Sequence, residues 1–277
     1  MDDRPIGFFD SGLGGLTCIP YLLKALPQER IIYYGDTART PYGSKAPSTI
    51  RAFASEIAGF LAETQGVKMI AIACNTVSAI ALEELRRQRP GIPVLGIISP
   101  AARTVAEACT EKNRIGVIGT KATIASEAYP KEILACRPGL DVRQQACPAF
   151  VPLIEEGIID NHIMDLTIKY YLDHFLEHNS IDTLVLGCTH YPLIRRNIDR
   201  LYPGLRVIDP SEEMLRSIDA ALGRYGLHAG GQAAGHVFYA SDLSENFTGM
   251  IDLIFSGTGY PVTFETLNLE HHLERKG

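Results

Sequence analysis

Two cysteines, Cys74 and Cys188, each end an apolar run and are each followed by small polar residues. The first run is Met69 to Ala81, M-I-A-I-A-C-N-T-V-S-A-I-A; the second is Thr183 to His190, T-L-V-L-G-C-T-H. A thiolate is a base and a thiol is an acid. If one faces each side of a carbon bearing hydrogen, one can remove the proton while the other returns it on the opposite face. That inverts a stereocentre without a cofactor. Free cysteine titrates near ~8.5, so the surroundings must deprotonate one thiol. Asp10 is available to take a proton from Cys74. His190, two residues past Cys188, can take or give one there. A cysteine hydrolase needs only one nucleophilic thiol and leaves the second copy unexplained.

The elements that must carry these thiols follow from the same runs. An apolar run without charge reads as a parallel strand buried on both faces. Its carboxyl end is where open α/β sheets hold ligands. After Cys74 come a helix, Pro90-Gly91, a strand over Val94 to Ile98 and Ser99-Pro100. After Cys188 come a helix, Pro203-Gly204, a strand over Arg206 to Ile208 and Asp209-Pro210. Ile115 to Thr120, I-G-V-I-G-T, repeats Ile6 to Ser11, I-G-F-F-D-S, at an offset of 115 − 6 = 109, and the cysteines are offset by 188 − 74 = 114. Similar offsets carrying matched units indicate an internal duplication. Gly119 stands opposite Asp10, so the halves share a frame but not their chemistry. Two such halves facing each other form one cleft. Ser11, Asn75, Thr76, Thr120 and Thr189 would line it, with helix N-termini that suit a small anion bearing carboxylates.

Asp10-Ser11-Gly12-Leu13-Gly14-Gly15 is a Gly-rich turn into a helix over Leu16 to Ala25, and Ile31 to Tyr34 is the next strand. With Asp36 beyond it, this unit invites a dinucleotide reading. The spacing is G-x-G-G, however, and the Asp10 carboxylate would repel a pyrophosphate. Asp36 to Ser44 is a loop whose Pro41-Tyr42-Gly43 backbone can hold a carboxylate. A helix over Pro47 to Thr64 precedes the first cysteine strand. Glu155 and Glu156 form a turn or send one carboxylate into the cleft, and a helix from His162 to Leu176 follows. From Ser211 a helix runs to Gly223. Leu227 to Gly235 reads as a flexible connection. A strand over His236 to Ala240, a helix over Ser244 to Phe255 and a strand over Val262 to Leu267 should pack back on the first half.

At 277 residues the chain suits one large or two medium domains. No run approaches a membrane span. The formal net charge of −6, without a basic stripe, argues against nucleic acid. No signal peptide precedes Ile6, so the expected location is the cytoplasm. None of the six cysteines forms a C-x-x-C pair or a zinc pattern, so no metal is expected. Cys18, Cys109 and Cys136 read as small core hydrophobes.

The motifs D-S-G-L-G-G-L, G-D-T-A-R-T-P-Y-G, A-C-N-T and G-C-T-H-Y-P, in this order and spacing, resemble those of the glutamate racemases in the aspartate/glutamate racemase superfamily. The resemblance covers essentially the whole chain. It implies α/β architecture with two similar Rossmann-like (flavodoxin-like) domains. Their parallel sheets would be related by a pseudo-two-fold, with the active site in the cleft between them. The implied domains are 1–98 with 209–277, and 99–208. The implied activity is cofactor-independent interconversion of L- and D-glutamate, supplying D-glutamate for peptidoglycan. By motif, Cys74 takes the proton from the D-isomer and Cys188 from the L-isomer, with Asp10 and His190 assisting. Asp10, Ser11, Pro41, Tyr42, Gly43, Asn75, Thr76, Thr120, Thr189 and His190 would contact substrate. A further catalytic glutamate is expected after an F-V-P stretch, where Glu155 is preferred over Glu156. The resemblance also implies a homodimer. The chain starts without the extension of members activated by a cell-wall precursor, so no such activation is expected; an unchanged rate on adding the precursor would agree. Aspartate racemisation and a non-catalytic binding role are the rival functions.

Overall fold

The computed structural model describes residues 1–231, 235–256, 258, 260 and 262–269. Residues 232–234 of the expected connection and residues 270–277 of the first implied domain lie outside them.

Among the described residues there are ten strands: Ile6–Asp10 (β1), Ile31–Gly35 (β2), Met69–Ile72 (β3), Val94–Gly96 (β4), Arg114–Gly119 (β5), Asp141–Ala146 (β6), Thr183–Gly187 (β7), Arg206–Ile208 (β8), Val237–Ala240 (β9) and Phe264–Thr266 (β10). They form two sheets, ordered β10-β9-β2-β1-β3-β4 and β6-β5-β7-β8, and every pairing is parallel. β1, β2, β3 and β7 are buried along their whole length. Helices cover both faces, which is why these strands read as unbroken apolar runs.

The duplication is visible in the register. Ile6 pairs with Met69 in the first sheet, and Ile115 pairs with Thr183 in the second. The order β2-β1-β3-β4 is therefore repeated as β6-β5-β7-β8. β9 and β10 have no counterpart and extend the first sheet beyond β2.

Local chemistry sets several helix boundaries. Leu16–Ala25 is not one helix. A 3-10 turn spans Gly14–Cys18, and the α-helix begins at Ile19, because Pro20 lacks the N–H an earlier start would use. The helix expected over 47–64 is regular over Pro47–Gly59 and then widens into a π turn at Phe60–Thr64. The helix after Cys74 is divided into Asn75–Ile80 and Leu82–Gln88. Among the described residues side-chain caps start four later helices: Thr120 accepts from Thr123 N–H, Asn161 from Met164 N–H, Asp209 from Ser211 N–H and Ser244 from Phe247 N–H. Each such cap is worth about 1 kcal/mol.

Cys18 and Cys109 are buried as expected, but Cys136 is exposed. It is the last residue of the helix Ala128–Cys136, whose buried positions are Tyr129 and Ile133. The buried stripe stops a turn before it.

Burial pushes the Cys18 and Cys74 thiols up to about 12 from an ordinary 9.0. In the folded state these two thiols therefore keep protons that the unfolded chain releases above pH 9, as do the buried Cys109 and Cys147. This contribution is intact below pH 9 and is lost as pH rises towards 12. Each thiol removes about 1.4 kcal/mol of stability per pH unit in that window. Urea midpoints followed from pH 8 to 10.5 should fall, and Cys18→Ala should make the fall shallower by about one thiol's share.

Candidate active site

The carboxyl ends of the two duplicated units meet. β1 delivers Asp10 and Ser11, and β3 leads directly to Cys74. β5 leads to Thr120, and β7 to Cys188, Thr189 and His190. A small cavity of about 20 Å³ lies where they meet. Cys74, Asn75 and Thr76 line it from the first half, with Ser11, Pro41, Tyr42 and Gly43. Thr120, Cys188, Thr189 and His190 line it from the second. Both thiols thus face one space. Thr40 and Val151 also line it and were not singled out in the sequence.

Asp10 and Glu155 stand one step behind this lining. Asp10 is fully buried. Its Oδ1 accepts from Gly12 N–H at 2.9 Å and from the Ser11 hydroxyl at 3.2 Å, and its Oδ2 accepts from the Thr189 hydroxyl at 3.0 Å. The Cys74 thiol donates to Ser11 Oγ at 3.4 Å. Asp10 therefore reaches Cys74 through Ser11 rather than directly. Burial raises the Asp10 pKa, against the opposing pull of His190 and its three donors. The Gly-rich turn wraps its own carboxylate, with the Gly12 N–H turned to Asp10.

On the other wall, Cys188 Sγ lies 3.8 Å from His190 Nδ1. His190 Nε2 lies 3.2 Å from Glu155 Oε1, an ion-pair distance. Burial alone would lower the His190 pKa, but the Cys188 sulfur and the Glu155 carboxylate together raise it well above its ordinary value. Glu155 is the last residue of the helix Phe150–Glu155, and Glu156 is exposed just beyond it. Of the two carboxylates, Glu155 is the one turned inward. It also accepts from the Thr40 hydroxyl at 3.2 Å.

The Pro41-Tyr42-Gly43 loop meets Thr120 across the cleft. A side chain at Gly43 would put its Cβ 2.5 Å from Thr120 Cβ. The Tyr42 hydroxyl donates to Asp36, which also binds Arg39 Nε at 2.7 Å and accepts from the Ser241 hydroxyl at 3.1 Å. That hydroxyl is thus occupied, which leaves the loop backbone to meet a ligand. Asp36 itself is fully buried, its carboxylate taken by Arg39, Tyr42 and Ser241. Thr76, Thr120 and Thr123 close a triangle of hydroxyls, with 3.0 Å between Thr76 and Thr120 and between Thr120 and Thr123.

Asn75 Nδ2 is buried without a hydrogen-bond partner. A buried amide left unpaired costs about 1–3 kcal/mol, so the site holds donor capacity for a ligand oxygen. Among the described residues no group of His, Cys, Asp and Glu has metal-binding geometry, and no helix is long and apolar enough to cross a membrane.

Gly14 fixes the second wall from the first. A Cβ there would sit 2.2 Å from Thr189 Oγ1 and 2.6 Å from His190 Nδ1. Gly14→Ala should therefore displace both side chains and cost on the order of 100-fold in turnover, since an ångström of misplacement has that effect. A thermal melt beside the rate assay separates this loss from unfolding.

The model of the Asp/Glu/Hydantoin racemase family matches residues 17–218. A glutamate racemase of Geobacter metallireducens is 46% identical over 249 residues, covering 89% of this chain and 91% of that protein. The crystal structure of glutamate racemase from Francisella tularensis in complex with D-glutamate matches with a TM-score of 0.89 at 38% identity, over 98% of this chain and 100% of that one. Picrophilus torridus aspartate racemase matches with a TM-score of 0.55 at 18% identity, over 81% of this chain and 99% of that one, a likeness of fold alone. With two sheets repeating one strand order and a thiol ending the same strand of each, the chain belongs to the Asp/Glu/Hydantoin racemase family.

Proposed function

We propose that this protein is a glutamate racemase that interconverts L- and D-glutamate by two-base proton transfer at Cα, without a cofactor, and so supplies D-glutamate for peptidoglycan. The observation that carries the reading is the pair of thiols, one from each duplicated half, lining a single cavity. Relatives named as glutamate racemases at about 45% identity over most of the chain support the substrate.

In this mechanism Cys188 removes the proton from L-glutamate and Cys74 delivers one to the opposite face; the D-isomer reacts in reverse. Burial keeps Cys74 protonated at neutral pH, the form needed to deliver a proton to a carbanion made from L-glutamate. His190, backed by Glu155, holds the proton that Cys188 releases. Asp10 does the same for Cys74 through Ser11. The Asn75 amide, the hydroxyls of Thr76, Thr120 and Thr189, and the Pro41-Tyr42-Gly43 backbone bind the two carboxylates. A cavity of about 20 Å³ holds little more than one water, so the halves must part to admit glutamate and close again over it.

The proposed rigid units are 1–98 with 209–277, and 99–208. Six unpaired thiols support a reducing cytoplasm as the location. We carry a homodimer as part of the proposal, to be measured by sedimentation, and no nucleic-acid partner.

The test is exchange of the α-proton of L- and D-glutamate in deuterated water, read by NMR and circular dichroism. Deuterium at Cα with loss of optical activity, and no added cofactor, is the expected result. Exchange with aspartate alone would move the substrate, and exchange with neither would defeat the catalytic reading.

A further inference from the structure

Tyr129 belongs to no motif that pointed to the chemistry, yet it touches the site from behind. It is fully buried on the helix Ala128–Cys136 of the second half. Its hydroxyl donates to Asn75 Oδ1 at 2.6 Å, across to the first half. The other flank of its ring lies at the end of β7, where a Cβ on Gly187 would come within 3.1 Å of Tyr129 Cε2. One side chain thus abuts the residue after Cys74 and the residue before Cys188.

The amide it holds has two different ends. A tyrosine O–H donates, so it selects the Asn75 carbonyl oxygen. The amide nitrogen is left buried and unpartnered beside the cavity that both thiols line. Burial holds the Tyr129 hydroxyl well above its ordinary pKa, so it remains a donor throughout the neutral range.

We propose that Tyr129 is a positioning residue for substrate binding: closing the two halves forms its bond to Asn75, which turns the amide N–H towards a carboxylate oxygen of the substrate. This rests on the racemase reading above. Opening the cleft separates Tyr129 from Asn75 and frees the amide to rotate, so the donor is correctly aimed only in the closed form. Tyr129 itself touches no reacting atom.

The experiment is a double-mutant cycle on the full chain with Tyr129→Phe, Asn75→Ala and both together, following L- and D-glutamate by circular dichroism. Tyr129→Phe keeps the ring and removes the hydroxyl. It should raise KM about ten-fold in both directions, the size expected of one orienting hydrogen bond, with kcat much less affected. In the Asn75→Ala background the same change should move KM by less than about two-fold, because a residue acting through Asn75 has nothing left to aim. An unchanged KM in Tyr129→Phe, or an equal rise in the Asn75→Ala background, would overturn the proposal while leaving the racemase reading intact. A wild-type protein that does not racemise glutamate would overturn both. If Tyr129→Phe does not fold, Asn75→Asp replaces the donor by an acceptor and should raise KM at least as much; an unchanged KM there would also overturn it.

Discussion

Cys74→Ser should abolish racemisation of glutamate, by on the order of 10²–10⁴-fold, while still exchanging the α-proton of L-glutamate with solvent. Cys188→Ser should do the mirror image, exchanging only D-glutamate. The reason lies in the geometry of the two walls. Each thiol has its own neighbours, Ser11 and Asp10 for Cys74 and His190 with Glu155 for Cys188, which the proposed mechanism uses as proton relays. A serine hydroxyl is far too weak an acid to form the base at neutral pH, and the relay behind it does not change that. The intact wall can still take a proton and return it on the same face. Deuterium wash-in to one isomer without loss of optical activity, read by NMR and circular dichroism on folded variants, is the expected pattern. Full racemisation by either variant would exclude the two-base mechanism.

The largest expected stability effect lies far from the thiols. Lys68 Nζ sits 2.6 Å from Glu29 Oε2, and both side chains are fully buried. Lys68 Nζ also donates to Asp2 O at 2.6 Å, and Glu29 Oε1 accepts from Ala229 N–H at 2.8 Å. The pair therefore ties the amino-terminal segment, the entry to β3 and the chain after the helix Pro210–Tyr225 into one node. Lys68→Met removes one charge and leaves the buried Glu29 carboxylate without its counter-charge. The expected cost is about 3–5 kcal/mol, because an uncompensated buried charge dominates such deletions. Adding Glu29→Gln should restore most of it, since glutamine still accepts from Ala229 N–H and carries no charge. Urea denaturation of the three variants checks this. A Lys68→Met protein as stable as wild type would mean that water reaches Glu29.

Much of the site was legible because its signals are local. A parallel strand needs a continuous apolar run, so Cys74 and Cys188 stood out at the ends of two such runs. The repeat of I-G-F-F-D-S as I-G-V-I-G-T announced the shared register of Ile6 with Met69 and Ile115 with Thr183. What was hidden depends on contacts between distant segments. Tyr129 and Asn75 are 54 residues apart, and Thr40 and Glu155 are 115 apart. No spacing rule joins them; only the packing of one half on the other does. Thr123 could have been noticed, since a threonine three residues after the cap Thr120 faces back towards it. Lys68 could not, because a lysine reads as a surface residue until its buried partner is known. The helix break at Pro20 was available in the sequence, where proline marks a first turn. Tyr42 stood in the expected loop, but its hydroxyl is taken by Asp36, three-dimensional information that the P-Y-G motif does not carry.

The place of β9 and β10 in the first sheet bears on how the chain is made. β4 ends at Gly96, and the second sheet is complete at Ile208. Ile32 of β2 meets its β9 partner Val237 only 205 residues later. As the chain leaves the ribosome, β2 therefore waits as a bare edge while the second half is synthesised and folds. An unpaired edge of buried-type residues is a template for association with other chains. Nascent chains arrested between Ile208 and Val237 would expose that edge, and they should associate more readily than the full chain.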